Sequence, residues 1–146
     1  MNINSGPGCA RQRGIDKTNN PWIMFIDTGD IFISDASQDK VVKAIKENPD
    51  ANIISFPYIY KDGITKETDN RMHGKIYKRA FLEKYSITFA AESSYLDEDI
   101  GFNRTCRLCT EVDGQPIVYK EVPIIEWIKD ENSLTQKNDN ISLYKD

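Results

Sequence analysis

An α/β domain is the fold class this sequence predicts, and three stretches carry the prediction. Trp22-Ile23-Met24-Phe25-Ile26 is a continuous apolar run that ends at Asp27, the pattern of a strand buried on both faces and typical of a central parallel sheet. Ser37 to Glu47 follows with Val41, Val42 and Ile45 on one face and charges on the other, which predicts a surface helix. Asn52 to Tyr60 is a second apolar run, rich in Ile and aromatics, closed by the turn signal Lys61-Asp62-Gly63. Strand, helix, strand in that order is a βαβ unit.

The remaining elements are placed around this unit. Cys9 to Thr18 has a helical pattern and stops at Asn19-Asn20-Pro21. Gly74-Lys75-Ile76-Tyr77 leads into a short helix from Arg79 to Tyr85. Asp97 to about Val112 is predicted helical, with Ile100, Asn103, Cys106 and Cys109 near one face. Ile117 to Tyr119 and Ile124 to Ile128 are predicted closing strands around Pro123, and Trp22 and Trp127 are expected in the core. Beyond Thr135 the chain is rich in Asn, Asp and Lys, so the expected division is a domain over 1–135 and a polar tail over 136–146.

Composition narrows the function classes. The 146 residues, at 16.7 kDa, suffice for one domain with a real core. Nineteen Lys and Arg stand against 23 Asp and Glu, a formal charge of −4, which argues against bulk electrostatic binding of nucleic acid. No apolar run reaches the roughly 18–20 residues of a spanning helix, and the N-terminus lacks a signal peptide's apolar region. Three cysteines cannot all pair with one another, which fits a reducing compartment. The expected setting is cytoplasmic.

Candidate chemistry lies in the acids. Asp27-Thr28-Gly29-Asp30 puts two carboxylates just past the carboxyl end of a buried strand, where open α/β sheets place ligands. Such hard oxygen donors suit Mg2+ or Mn2+ holding a diphosphate, and equally suit a plain turn. Asp97-Glu98-Asp99 opens a helix, where acids are favoured by the dipole, and where one of them can instead act as general base. His73, the single histidine, is open to two readings, a contact to substrate phosphate or a buried hydrogen-bonding residue. A lone Cys106-Arg107-Leu108-Cys109 lacks the four ligands of a structural zinc site and is expected to pack as small apolar side chains.

Taken in order, these segments resemble family 2 glycosyltransferases. Gly6-Pro7-Gly8-Cys9-Ala10-Arg11-Gln12-Arg13-Gly14-Ile15 is similar to the family's Gly-x-x-x-Ala-Arg-Asn-x-Gly helix. Trp22 to Phe32 resembles its Tyr-Ile-x-Phe-Leu-Asp-x-Asp-Asp strand and loop. His73-Gly74-Lys75-Ile76-Tyr77-Lys78-Arg79-Ala80-Phe81-Leu82 is similar to a segment of bacterial and phage-type members, and Ile87-Thr88-Phe89 to the family's Ile-x-Phe. Glu98-Asp99-Ile100-Gly101-Phe102 resembles its Glu-Asp-x-x-Phe motif, and Lys129 to Thr135 its closing Arg-x-x-x-Ser-x-Thr stretch.

The resemblance implies a partial GT-A-like, three-layer α/β/α domain with a mostly parallel sheet. It implies transfer of a hexosyl group, with inversion, from a nucleotide-diphosphate sugar to a glycan or other hydroxyl acceptor. Asp99, with Glu98, would be the catalytic acid pair, and Asp27 and Asp30 the donor and metal ligands. Arg11, His73, Lys75, Lys129 and Ser133 would contact substrate or phosphate, and Mn2+ or Mg2+ would be the cofactor. Gly29 stands where the family has its middle Asp, which reduces the metal motif to Asp27 and Asp30. The resemblance begins at about the second half of the catalytic domain, after the units that bind base and ribose. Three alternatives follow: a missing half in another chain, a truncated remnant, or an inactive relative with a structural, assembly or glycan-binding role. Such a half domain would expose a sheet edge that a protein partner or a second copy could cover.

Overall fold

The computed structural model describes residues 6–61, 63–65, 70–89 and 98–128. Helix α1 spans Gly6–Lys17, strand β1 Trp22–Met24, β2 Ile31–Phe32, α2 Ala36–Glu47, β3 Ile53–Ser55, β4 Tyr58–Tyr60 and β5 Gly63–Thr65. Strand β6 (Lys75–Lys78) runs directly into α3 (Arg79–Lys84), followed by α4 (Glu98–Asp113), β7 (Val118–Tyr119) and β8 (Ile125–Trp127). The main sheet has the order β1-β6-β3-β7, and a second sheet the order β2-β8-β4-β5.

In the main sheet β1 and β3 each pair antiparallel with β6, so they run parallel to each other, and β7 pairs parallel with β3. Three strands therefore share one direction and β6 alone opposes them, a mixed sheet of mostly parallel sense. The βαβ unit β1-α2-β3 is present but split, because β6 sits between its strands. A both-face apolar run shows that layers cover the strand on either side. It does not say which neighbour lies beside it, and β6, written Lys-Ile-Tyr-Lys, gives only a short apolar signal.

Alternation along the strands feeds two cores. Ile23, Ile53 and Tyr77 face one way, into a cluster with Ile15, Phe81, Leu82, Phe102 and Cys106 from the helices α1, α3 and α4. Ile54 and Ile76 face the other way, with Ala44 of α2 and with Tyr58, Ile124 and Ile125. The helix–sheet–helix layering follows, and each fully buried Ile contributes about 1.5–3 kcal/mol. On α2 the inward stripe is Val41, Ala44 and Ile45, whereas Val42, expected on that face, is half exposed because it lies about 100° further round. The expected single strand from Asn52 to Tyr60 divides at Phe56-Pro57, and its halves β3 and β4 enter different sheets. Pro57 has no N–H to give to a ladder, which makes the break natural. The turn expected after it is the β4–β5 hairpin.

Arg79 ties α1 to the sheet. Its guanidinium donates to Asn20 O (2.8 Å), Ile15 O (3.0 Å) and Thr18 Oγ1 (2.7 Å), satisfying the end of α1 with a cation where the helix dipole favours one. Lys129, Ser133 and the 136–146 tail lie outside the described residues.

Candidate active site

Beyond the end of β1 the chain makes a tight turn in which Asp30 N donates to Asp27 O at 3.0 Å. Gly29 holds the third position of that turn at φ +98°, a backbone region closed to most side chains. Among the described residues other than its chain neighbours, no heavy atom lies within 4 Å of where its Cβ would be, so the dihedral rather than space selects glycine. The turn points both carboxylates toward His73, and ligand atoms of Asp27, Asp30 and His73 all lie within 4.8 Å of one another.

Arg11, on α1, joins this turn to α4. Its Nη2 donates to Asp27 Oδ1 at 2.7 Å and its Nη1 to Glu98 Oε1 at 2.5 Å. Arg11 and Glu98 keep only 12% and 7% of their side chains exposed. Burial works against the Arg11 charge, but the hydrogen bonds and charges of Asp27 and Glu98 outweigh it, and its pKa is raised. Glu98 Oε2 is buried and makes no hydrogen bond among the described residues. Gly8 lets α1 approach α4, since a Cβ there would stand 3.0 Å from Glu98 Cγ.

Asp99 begins the same helix and accepts from Ile100 N at 2.8 Å. Burial first, and then the charge of Glu98, push its carboxyl above the ordinary range, against smaller opposing effects from the Ile100 N–H, Arg11 and Arg71. The first turn of α4 is anchored from below. Tyr77 Oη, fully buried, donates to Asn103 Oδ1 at 2.5 Å, and Asn103 Nδ2 donates to Asp99 O and Asn70 O, each at 2.9 Å. This buried network fixes the backbone that carries the acid pair.

His73 is held by its neighbours' rings. Its imidazole stacks on Trp127 at 4.6 Å and lies 4.9 Å from Tyr58, while the Arg71 guanidinium covers Trp127 from 4.9 Å. Gly74, at φ +72°, is fixed by a close approach, because a Cβ there would sit 2.3 Å from Phe56 O. His73 Nε2 stands 3.2 Å from Asp30 Oδ2, with 7% and 3% of the two side chains exposed. That approach lies off the line of the ring N–H, and neither ring nitrogen makes a hydrogen bond among the described residues.

Asp27, Asp30, Glu98, Asp99, Arg11 and His73 are thus drawn into one region from four separate segments. Lys75 is buried with its ammonium on Arg71 O at 2.6 Å. Trp127, expected only in the core, packs against it and also forms the wall behind His73 together with Tyr58, while Tyr60 stacks on Trp127. The sequence signal for these residues was their aromatic clustering, which core packing explains equally well. Cys106 is fully buried and Cys109 partly so, both free and packed in the core as expected, and burial pushes the Cys106 thiol well above its usual range. An open concavity of about 490 Å3 between α2 and the β7–β8 connection shares no residue with the acid cluster, and Glu47 already meets its Lys43 and Lys120.

Residues 1–103 match the pattern of Glycosyl transferase family 2. The chain belongs to that family. Among solved structures, this family 2 chain is similar to Staphylococcus aureus TarS. The TarS 1-349 structure in complex with UDP has TM-score 0.69 at 16% identity, covering 90% of this chain and 43% of TarS 1-349. The UDP-GlcNAc complex has TM-score 0.67 at 16% identity, over 88% of this chain and 40% of the other. A longer TarS structure gives TM-score 0.68 at 16% identity, over 90% of this chain and 26% of that one. The likeness shows a shared GT-A-like fold, and the chain spans less than half the length of these structures. No curated protein sequence matches the chain.

Proposed function

We propose that the chain carries the acid-lined part of an inverting sugar-transfer site, passing a hexosyl group from a nucleotide-diphosphate donor to an acceptor hydroxyl. The observation that carries this reading is Arg11, which holds Asp27 and Glu98 together and so joins the donor-side acids to the acceptor-side acids.

In this reading Asp99 takes the proton of the acceptor hydroxyl as its oxygen attacks the anomeric carbon, and the nucleotide diphosphate leaves from the opposite face. A carboxyl held above the ordinary range is a stronger base than an ordinary aspartate. Glu98 keeps Arg11 in place and adds the charge that raises Asp99. Asp27 and Asp30 fit a divalent cation, since their oxygens lie close together and a buried nitrogen lies beside them with no hydrogen bond among the described residues. When bound, that cation supplies positive charge to the leaving diphosphate. Lys129 and Ser133 are proposed to reach the same diphosphate. The TarS structures hold UDP and UDP-GlcNAc, which makes uridine-diphosphate sugars the first donors to try.

Three free cysteines support a cytoplasmic setting, and no helix among the described residues is long and apolar enough to cross a membrane. Gly29 in the metal motif favours a second reading, an inactive relative that binds glycan or assembles with a partner. Replacing Asp99 by Asn separates the two. Transfer from UDP-sugars, followed as UDP released, is expected to fall about 10²–10⁴-fold with the far-ultraviolet dichroism unchanged. Undiminished turnover would remove Asp99 as the base.

A further inference from the structure

We propose that His73 is a metal ligand of this site, and that its Nε2 takes the place of the carboxylate lost at Gly29. The inference rests on the transfer reading and concerns which cation the site holds. Two acids alone make a weak site, because exposed carboxylates cluster on many surfaces without binding an ion. The second observation is the imidazole itself, almost wholly buried between Trp127 and Tyr58 with both nitrogens free of hydrogen bonds among the described residues.

A buried polar group without a partner is costly, on the order of 1–3 kcal/mol, so such groups are normally bonded. Asp30 lies close enough to bond His73 but is out of line with the ring N–H, whereas a ring nitrogen and oxygens of the two carboxylates lie within 4.8 Å of one another, close enough to share one ion. Ring stacking on Trp127 and the glycine-only backbone at Gly74 hold the nitrogen there without a hydrogen bond among the described residues. The donor set becomes two carboxylate oxygens and one imidazole nitrogen.

That set has a chemical consequence. Mg2+ prefers a complete shell of oxygens, while imidazole suits more polarisable divalent ions. A site containing His73 therefore selects Mn2+, Co2+ or Zn2+ over Mg2+, unlike a site made of aspartates alone.

The test is Mn2+ titrated onto the full chain in the presence of UDP, read by electron paramagnetic resonance. The wild type is expected to show spin-echo modulation from a directly bound nitrogen, and excess Mg2+ should displace Mn2+ poorly. His73→Phe keeps a ring between Trp127 and Tyr58 but removes the nitrogen. It should lose the modulation and weaken Mn2+ binding by at least about tenfold. If that variant does not fold, the wild-type modulation decides alone. Mn2+ bound with UDP but lacking nitrogen modulation would overturn this inference and leave the transfer reading standing. A chain that binds no Mn2+ would overturn both.

Discussion

At the N-terminal end of α4, burial and the Glu98 charge hold the Asp99 carboxyl above its ordinary range; at the C-terminal end of the same helix, Lys84, Asn52 and Tyr85 draw Asp113 well below it. The helix dipole alone predicts the reverse, since it favours anions at the N-terminus and penalises them at the C-terminus. Local partners decide instead. Asp113 accepts from Asn52 Nδ2 and from Tyr85 Oη, each at 2.7 Å, and pairs with Lys84. Asp99 accepts one backbone N–H and sits beside a second acid. The first arrangement uses a carboxylate to join α4 to α3 and β3; the second keeps one partly buried and basic. Opposite shifts on two acids of one element set the tied carboxylate of Asp113 apart from the one that the proposed transfer uses as base.

The comparison can be broken most forcefully at Arg11. Arg11→Met removes the cation that serves both Glu98 and Asp27, leaving Glu98 buried and uncompensated, and is expected to cost about 3 kcal/mol in chemical denaturation at neutral pH. Arg11→Lys should recover little of this, because an ammonium cannot fork to two carboxylates as a guanidinium does. A loss no larger than that of an exposed ion pair would show that the two acid groups are not coupled.

A smaller effect sharpens the contrast between the ends of α4. Asp99, with its folded pKa raised, binds its proton more tightly when folded, so its ionisation reduces stability as pH rises through that pKa. Asp99→Asn is therefore expected to melt at or above the wild-type temperature at neutral pH, and the gain should vanish at acid pH, where the wild-type carboxyl is protonated. Asp113, with its folded pKa lowered, stabilises above the ordinary carboxylate range and loses that contribution as pH falls toward its folded value. Asp113→Asn should accordingly be less stable at neutral pH, with the difference shrinking in acid. Melting curves of both variants across acid and neutral pH check the pair, and shifts of the same sign would erase the distinction.

Much of the layout was legible from the residues because periodicity and punctuation are local signals. Val41 and Ile45 set the inward face of α2, and Asp27 closes the apolar run that begins with β1. What stayed hidden depends on neighbours distant in sequence. The insertion of β6 between β1 and β3 is a matter of pairing, which no single segment encodes. Glu98 and Asp99 stood out through their motif, whereas the place of Arg11, expected to contact substrate or phosphate, between two carboxylates 71 residues apart follows only from the fold. The same holds for His73. Its lack of hydrogen bonds among the described residues and its stacking on Trp127 arise only when β6 and β8 are brought together.

The most direct test of the central claim, that these acids form a nucleotide-sugar transfer site, is thermal unfolding of the chain with UDP, with and without Mn2+. A site that binds should gain about 2.7 kcal/mol at a ligand concentration of 100 times its dissociation constant, visible as a raised melting temperature. The account predicts a shift that requires Mn2+ and disappears in Asp27→Asn. A well-folded chain whose melting temperature is unmoved by UDP and Mn2+ together would contradict it.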